Sequence, residues 1–367
     1  MTLALGLMSG TSADGVSLAL IELKGRRLEV LGHDTYPYAS GLSRRILAAA
    51  RTDADGLSRL NFELGRVFAK AAERFLRARR VHPRRLAAVG SHGQTVIHLP
   101  GERSPSTLQL GEPSFLSETL GVPVVSDFRP RDMAAGGEGA PLVPFFDEFV
   151  FGGGRPRALQ NIGGIGNVAL VGRGVRTFGF DTGPGNCLID LAVRRMTGGR
   201  RAFDRDGLIA RRGRVDEALA ARLLAAPFFR RRPPKSLERT EFGEAYLRRH
   251  LPAGRLRHED AVATLTYFTA LTIADALRRF LPRPPRLSEL IVSGGGALNP
   301  VLMEGLRRLL YPLPVLTSAD YGIPVLAKEP AMMALLAALA VEGKPNHCPR
   351  ATGARGPRIL GKISPAA

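Results

Sequence analysis

The sequence predicts an α/β protein made of two similar lobes with a cleft between them. A pattern of apolar strand, glycine-containing turn, two further strands and a helix occurs twice, beginning near residues 3 and 158. Strands and helices that alternate in this way form sheets covered by helices. The chain has 367 residues, which is enough for about two domains, and 44% of them are hydrophobic. We therefore expect a duplicated unit.

The first copy begins with strands at Leu3–Met8, Val16–Leu23 and Arg27–Gly32, separated by turns of small residues. Helical spacing of apolar residues follows from residue 43 to about residue 80. Leu86–Gly90 then predicts a short buried strand that ends before Ser91 and His92.

The second copy begins with predicted strands at Ala158–Ile162, Asn167–Val171 and Val175–Phe180, followed by a helix at Asn186–Met196. A basic, proline-containing loop is expected from there to Lys235. One more strand is predicted at 290–292. Four more helices are predicted at 241–250, 260–280, 300–310 and 328–341. Prolines between the copies mark the expected hinge: Pro123, Pro130, Pro141 and Pro144.

Composition narrows the classes of function. Lys and Arg outnumber Asp and Glu by 52 to 33, a formal charge of +19, but the excess is mostly arginine in short dispersed clusters. Aromatic residues make up 6% and tryptophan is absent, so no stacking platform for single strands is indicated. The amino terminus lacks the basic flank of a signal peptide and no apolar run reaches about 18 residues, which favours a cytoplasmic protein without membrane contact. Cys187 and Cys348 are expected to be small buried hydrophobic residues.

Between the first two strands lies a turn that suits a phosphate group. Small residues let the backbone approach a polyanion, and the turn amides and hydroxyls point donors at it. Asp14 would be costly there unless it binds a cation, normally Mg²⁺. A plain hairpin turn is the alternative. The predicted nucleotide contacts in this turn are Gly10, Thr11, Ser12, Ala13, Asp14, Gly15, Val16 and Ser17.

Two more glycine segments follow in the second copy. Gly163, Gly164, Gly166 and Asn167 occupy the equivalent turn, and a nucleotide between two lobes needs phosphate contacts from both. Gly294, Gly295 and Gly296 follow a strand and precede a helix, where a flat backbone suits an adenine or ribose. The alternative for this segment is a tight strand-to-helix turn.

Asp181 is the candidate general base. It ends a predicted strand in Phe180-Asp181-Thr182-Gly183-Pro184-Gly185-Asn186, and a carboxylate there accepts a proton from an attacking hydroxyl or water. The alternative is that Asp181 or Thr182 caps the following helix.

Polar residues also gather around residues 91–95 and 127–132. Arg129 and Arg131 are suited to grip a carboxylate, and His92 is a candidate substrate contact, with a structural histidine as the alternative. His92 and His98 have no third ligand at zinc spacing.

These segments together resemble the anhydro-N-acetylmuramic acid kinase family, within the actin, hexokinase and Hsp70 ATPase superfamily. The matching blocks keep the family's order along nearly the whole chain. They begin at Met8, Ser91, Asp127, Ala134, Gly139, Asn161, Phe180 and Ser293.

The resemblance implies two ribonuclease H-like lobes with mixed sheets flanked by helices and a central nucleotide cleft. The implied segments are residues 1–128 with the first phosphate hairpin, residues 129–329 with the second turn, the base and the adenosine glycines, and residues 330–367, which return to the first lobe.

The implied reaction uses ATP and Mg²⁺ to phosphorylate O6 of 1,6-anhydro-N-acetylmuramic acid while water opens the anhydro ring. The products are N-acetylmuramate 6-phosphate and ADP, in peptidoglycan recycling. By this analogy Asp181 activates the water, Glu329 is a second catalytic carboxylate, and Arg129 or Arg131 contacts the lactyl carboxylate.

Some positions depart from the family pattern, namely Ser17, Pro130, Leu237, Glu238 and Pro330. They leave open a kinase for a different sugar. A non-catalytic nucleotide-dependent switch stays open as well, and so does, from the charge, a nucleic-acid-binding protein. We expect the binding partner to be a small sugar and not a nucleic acid. Assembly into a homodimer is left as a possibility.

Overall fold

Strands and helices alternate along a computed structural model that describes residues 1–10, 12–233, 235–237, 241–251, 254, 256–281 and 286–366. Up to residue 151 they are β1 (Thr2–Ser9), β2 (Gly15–Lys24), β3 (Arg27–Pro37), α1 (Ser40–Ala48), α2 (Ala54–Ala78), β4 (Ala88–Leu99), β5 (Ser106–Leu110), α3 (Ser114–Leu120), β6 (Val124–Ser126), α4 (Phe128–Ala134) and α5 (Val143–Phe151).

The elements that follow, up to residue 317, are β7 (Arg157–Ile162), β8 (Ile165–Val171), β9 (Phe178–Pro184), α6 (Cys187–Thr197), α7 (Glu217–Leu224), α8 (Pro227–Arg230), α9 (Glu244–His250), α10 (His258–Phe280), β10 (Leu290–Ser293), α11 (Pro300–Leu310) and β11 (Val315–Thr317). The last three are α12 (Lys328–Val341), α13 (Pro349–Thr352) and β12 (Lys362–Ser364).

The chain packs into two units, residues 1–150 with 322–367 and residues 151–321. The domain limits predicted from the sequence stay predictions. In the first unit, a sheet has the strand order β12-β6-β4-β1-β2-β3, with β5 added beside β4. β1 runs antiparallel to β2 and parallel to β4, which is the mixed sheet that was expected.

The second unit repeats this arrangement in a sheet of order β11-β10-β7-β8-β9. β7 is antiparallel to β8 and parallel to β10, as β1 is to β2 and β4. Each sheet therefore places its first strand in the middle, with a hairpin on one side and parallel strands on the other. The predicted fold class, α/β with two ribonuclease H-like sheets flanked by helices, is confirmed.

The helix α12 is buried on almost every side and packs on β1 and β4. A Cβ atom on Gly6 or Gly90 would overlap the carbonyl oxygen of Pro330 or Met333, so only glycine lets the strands approach the helix this closely. This contact fixes the start of α12, which carries Glu329. Pro330 stands in the first helical turn, where its missing N–H costs nothing.

Four local predictions were wrong. The strand predicted at Val175–Phe180 is observed as β9 at Phe178–Pro184, so Asp181 lies inside this strand and not at its end. β4 does not stop at Gly90 but continues to Leu99, because its second half pairs with β5, and His92 lies inside the strand. The expected loop up to Lys235 contains α7 and α8, and Asp216 caps α7 by accepting a hydrogen bond from the N–H of Leu219. Neither Cys187 nor Cys348 is fully buried.

Candidate active site

In the first unit, the turn after β1 is held by buried side chains. The amide of Gln94 donates to the carbonyl of Gly10 over 3.2 Å, and the Ser9 hydroxyl donates to the Gln94 Oε1 over 2.5 Å. The Tyr38 hydroxyl lies 2.6 Å from the Ser9 Oγ, and burial raises the pKa of Tyr38, so the phenol stays neutral. Sequence reasoning missed this Ser9–Gln94–Tyr38 triad, because its members are far apart in the chain.

The rest of this turn offers exposed polar groups. Ser12 and Asp14 are exposed, and a Cβ atom on Gly10 would come no closer to any neighbour than 3.8 Å. Ala13 and Val16 are buried and belong to the packing of the turn. The Ser17 hydroxyl lies 2.8 Å from that of Thr35 on the next strand. Thr11, another predicted nucleotide contact, lies outside the described residues.

Arg129 is fixed on two sides within the first unit. Its Nε and Nη2 donate to the Nε2 of His92 over 3.2 and 3.0 Å, and its Nη1 donates to the carbonyl of Gly139 over 2.9 Å. A guanidinium group has five N–H donors, so one N–H on each terminal nitrogen remains for a ligand. Arg131, by contrast, is exposed. The structure thus separates two arginines that the sequence left equivalent.

His92 accepts hydrogen bonds from Arg129 in a defined tautomer. Its Nδ1 lies 3.0 Å from the carbonyl of Gly93 and therefore carries the proton, while Nε2 accepts from Arg129. Burial and then the charge of Arg129 lower the pKa of His92 to about 3. A neutral imidazole whose acceptor is already engaged cannot take a substrate proton, so His92 holds Arg129.

A small polar cavity lies beside His92. It has a volume of about 110 Å³. Ser91, which is 1% exposed, has an Oγ without a hydrogen-bond partner among the described residues. Asp127 adopts a φ of 51°, which is costly for a residue other than glycine. An orphaned hydroxyl and a strained aspartate at one cavity are typical of a ligand site. The lining residues are Asn61, Ser91, His92, Gly93, Gln109, Gly111, Glu112, Pro113, Ser126 and Asp127.

Glu329 adds a carboxylate to the first unit. Its side chain is exposed, yet the protein atoms around it raise its pKa, against the charges of Lys328 and Arg129. The adjacent Lys328 is buried and forms an ion pair of 2.7 Å with the buried Asp147. Lys328 therefore points into the protein while Glu329 stays open to a ligand. This buried pair was not predicted.

In the second unit, the pairing of the strands brings together the segments that contain the predicted residues Asn167 and Asp181. Ser293, Asn161, Asn167 and Asp181 are paired in one row across β10, β7, β8 and β9. Residues paired in this way face the same side of a sheet. Three sequence segments thus lie side by side on one face of the sheet.

The turn between β7 and β8 is held by main-chain bonds to the start of α6. Gly163 and Gly164 carbonyls accept from the N–H groups of Asn186, Gly185 and Cys187 over 2.8 to 3.2 Å. A Cβ on Gly164 would meet nothing within 4 Å, and one on Gly163 nothing within 3.7 Å. Neither packing nor a left-handed φ requires glycine at these two positions, so an external group that approaches the backbone would explain them.

Apart from Gly295, the other predicted glycines are required by packing or by the backbone conformation. A Cβ on Gly166 would lie 2.8 Å from the Thr182 Oγ1, and one on Gly15 would crowd the carbonyl of Tyr36. Gly294 has a φ of 84°, and a Cβ on Gly296 would overlap the Ile162 side chain. Gly295 is exposed, with only the Asn186 amide near it at 3.8 Å. A tight turn therefore accounts for Gly294 and Gly296 but not for Gly295.

Asp181 is held by the segment 235–237. Its N–H donates to the carbonyl of Lys235 over 3.0 Å, and its Oδ2 accepts the N–H of Leu237 over 2.7 Å. Burial raises the pKa of Asp181 against that hydrogen bond and the charge of Lys235. Lys235 itself is packed against Phe180, Phe228 and Phe280, and burial lowers its pKa to about 8.

A helix-capping role for Asp181 is wrong. The residue before α6 is Asn186, and no side chain caps this helix; Thr182 instead accepts a hydrogen bond from the Gln160 amide. Asp181 thus has one engaged and one available carboxylate oxygen among the described residues. A half-buried carboxylate with a raised pKa is suited to accept a proton.

The described residues contain no group of three or more histidine, cysteine, aspartate or glutamate side chains placed to hold a metal ion. No helix in the described part of the chain is long and apolar enough to cross a membrane.

Comparison with known proteins shows the family of this chain. The family model described as anhydro-N-acetylmuramic acid kinase matches residues 2–366. The chain belongs to the anhydro-N-acetylmuramic acid kinase family. Relatives with this name include one from Caldanaerobacter subterraneus subsp. tengcongensis, 38% identical over 99% of this chain and 96% of that protein. Another, from Pseudomonas paraeruginosa, is 43% identical over 99% and 98%, and one from Streptomyces avermitilis is 44% identical over 98% and 94%.

Solved structures from outside this kinase family are more distant. The activator of 2-hydroxyisocaproyl-CoA dehydratase from Clostridium difficile, with bound ADPNP, is 12% identical with a TM-score of 0.48, over 93% of this chain and 96% of that one. A ROK family glucokinase from Streptomyces griseus, in complex with glucose and AMPPNP, is 14% identical with a TM-score of 0.38, over 91% and 99%. Likenesses this loose carry no argument about function.

Proposed function

We propose that this kinase transfers the γ-phosphoryl group of ATP to O6 of 1,6-anhydro-N-acetylmuramic acid while water opens the anhydro ring. Water forms a bond to C1, the C1–O6 bond breaks, and O6 forms a bond to the γ-phosphorus as the bond to ADP breaks. The water proton passes to Asp181. The products are N-acetylmuramate 6-phosphate and ADP, which places the reaction in peptidoglycan recycling.

The observation that carries this proposal is the setting of Asp181. The Leu237 N–H orients one carboxylate oxygen, the helix-capping role is excluded, and burial raises the pKa. A base held in this way contributes about 10²–10⁴-fold to a rate. Water must stand between base and sugar, as in inverting glycoside hydrolysis, so the carboxylate needs no covalent bond to the sugar.

Residues of the first unit supply recognition of the sugar in this proposal. Arg129 has a fixed guanidinium on which two N–H donors are free of partners among the described residues, so it is the better candidate for the lactyl carboxylate than the exposed Arg131. The neighbouring cavity at Ser91 and Asp127 suits hydroxyl or acetamido groups of a sugar. Glu329 is exposed at the start of α12 and is the second carboxylate assigned to the reaction.

The residues present fit ATP and Mg²⁺. The open sides of Gly10, Gly163, Gly164 and Gly295 leave room for phosphate oxygens and a nucleoside to approach the backbone. Mg²⁺ needs only one or two protein carboxylates when phosphates and water complete its shell, and Asp14 is exposed at the first turn. Bound there, Mg²⁺ would neutralise charge on the transferred phosphoryl group.

The departures from the family pattern fall where the structure accommodates them. Leu237 reaches Asp181 through its main chain, so the side chain can vary without loss of that bond. Pro130 stands in the first turn of α4. Glu238 lies outside the described residues. Among the described residues, the departures therefore give no structural support to a kinase for another sugar. The cytoplasmic location and the homodimer stay predictions.

Purified protein with ATP, Mg²⁺ and 1,6-anhydro-N-acetylmuramic acid tests the proposal, with products followed by mass spectrometry. We expect a product heavier than the substrate by one phosphoryl group and one water, in equal amount to ADP. Asp181→Asn should lower kcat about 10²–10⁴-fold, because the amide cannot accept the proton, while ATP binding is retained. A phosphorylated product that keeps the anhydro ring, or full activity in the variant, would overturn the proposal.

A further inference from the structure

A buried network joins Arg129 to the carboxyl-terminal part of the chain. It begins at Gly139, whose carbonyl accepts from Arg129 over 2.9 Å. The N–H of the same residue donates to the Oδ2 of Asp132 over 2.8 Å. Gly139 thus links the arginine to an aspartate whose side chain has no exposure to solvent.

The other oxygen of Asp132 binds the carboxyl-terminal segment. Its Oδ1 accepts from the His347 Nδ1 over 2.9 Å and from the Thr352 hydroxyl over 2.7 Å. The Nε2 of His347 in turn accepts the N–H of Arg358 over 2.8 Å, so the imidazole is neutral with its proton on Nδ1. Burial would raise the pKa of Asp132, but the hydrogen bonds from His347, Thr352 and Gly139 together lower it, and the carboxylate is ionised at neutral pH.

Main-chain bonds reinforce the same junction. The N–H of Glu138 donates to the carbonyl of Thr352 over 2.8 Å, and that of Arg355 to the carbonyl of Ala135 over 3.0 Å. A Cβ on Gly137 would overlap the Asp132 Oδ2. The loop at 135–139 is therefore shaped around this one carboxylate, and residues 346–358 hold it from the far side.

We propose that Asp132 is a positioning residue for acceptor recognition: through Gly139 it sets the direction of Arg129, and the segment 346–358 locks Asp132 in place. This inference rests on the proposed function, in which Arg129 contacts the substrate carboxylate. It assigns a role in substrate specificity to a part of the chain that was predicted only to return to the first lobe.

Asp132→Asn is the sharpest variant. In one orientation the amide NH₂ of the new asparagine faces the N–H of Gly139, and in the other it faces the N–H of His347. Both arrangements set two donors against each other. His347 cannot move its proton to the other ring nitrogen, because that nitrogen accepts the N–H of Arg358. Thr352→Val removes one of three bonds with little change of shape and serves as a milder variant. Asp204→Asn is the matched control, since Asp204 is also buried and also accepts main-chain N–H groups, from Ile209 and Ala210.

The readout is the KM for two sugars, anhydro-N-acetylmuramic acid and anhydro-N-acetylglucosamine, which lacks the lactyl carboxylate. Asp132→Asn should raise the KM for the first sugar about tenfold, with Thr352→Val raising it about threefold and the KM for ATP unchanged. The KM for the carboxylate-free sugar should stay within about twofold. In an Arg129→Ala background, Asp132→Asn should add nothing.

The outcomes separate the inference from the function on which it rests. If Arg129→Ala raises the KM for both sugars equally, the proposed carboxylate contact is wrong. If Arg129→Ala is selective but Asp132→Asn is not, or if the two effects add, the positioning role is wrong. A third outcome is that Asp132→Asn and Thr352→Val both raise the KM for both sugars and both lower the melting temperature, as Asp204→Asn does. This outcome would assign Asp132 a structural role only.

Discussion

The two units carry similar sheets, but they hold their candidate functional groups in different ways. In the first unit side chains do this: Ser9 and Gln94 fix the turn at Gly10, and His92 fixes Arg129. In the second unit the main chain does it. The turn at Gly163 and Gly164 is bonded to the start of α6, and Asp181 is held by the main chain of residues 235–237.

This difference predicts which kind of change, steric or of protonation, each unit is sensitive to. A site held by the main chain tolerates new side chains unless they fill the space kept open by glycine. A site held by buried polar side chains depends on their protonation, because a charged or missing partner leaves a buried donor or acceptor unsatisfied. Added side-chain volume should therefore affect ligand binding in the second unit, and a change of pH should affect the stability of the first unit.

The first effect that tests this difference is steric and is expected at Gly164. Among the described residues, apart from its chain neighbours, no atom lies within 4 Å of the methyl group that Gly164→Ala would add, so the melting temperature should stay unchanged. If phosphates approach this backbone, the KM for ATP should rise about tenfold or more. Steady-state kinetics at varied ATP and a thermal melt measure both quantities.

Gly166→Ala is the control, with the opposite expectation for stability. Its Cβ would lie 2.8 Å from the Thr182 Oγ1, so the melting temperature should fall. An unchanged KM for ATP in Gly164→Ala would remove the second turn from the nucleotide site.

The second effect is expected at His92, and it depends on pH. The pKa of His92 is about 3 in the folded protein against 6.5 in an unfolded chain. Between these values the unfolded state binds one more proton. The stability that neutral His92 contributes is thus complete above about pH 6.5 and is lost as the pH falls toward about 3.

His92→Gln isolates this contribution, since the glutamine oxygen can accept from Arg129 without titrating. Between about pH 7 and pH 5 the wild type should lose about 2 kcal/mol more unfolding free energy than the variant, measured by urea denaturation. His33 and His98, whose pKa values are also lowered by burial, are present in both proteins and cancel. Equal losses in the two proteins would mean that His92 is not buried as a neutral base.

Much of the fold followed from sequence because it depends on local pattern. Apolar runs bounded by small residues located β1, β2, β7 and β8, and period 3.6 located α11 and α12 at their observed bounds. The paired glycine turns then indicated the repeat. What pattern could not show was the extension of β4, since its second half is a strand only through pairing with the distant β5.

The candidate site was predictable in its residues but not in its contacts. Motifs located Asp181, Arg129 and the glycine turns, whereas the partners that hold them come from distant segments. Gln94 meets Gly10, Leu237 meets Asp181, and Thr352 meets Asp132. Such contacts depend on tertiary packing, and composition gives no signal for them. Thr352 in particular could not be predicted, because a short polar segment near the end of a chain is ordinarily a loop.

The anomeric form of the first product shows whether a water activated by Asp181 attacks C1 while O6 becomes the phosphoryl acceptor. The anhydro bridge leaves C1 on the β face, so water entering from the opposite side gives the α anomer. Proton NMR during turnover, faster than mutarotation, should show α-N-acetylmuramate 6-phosphate first and the β anomer only later. Initial formation of the β anomer, or of a phosphorylated sugar whose anhydro ring is intact, would contradict the account.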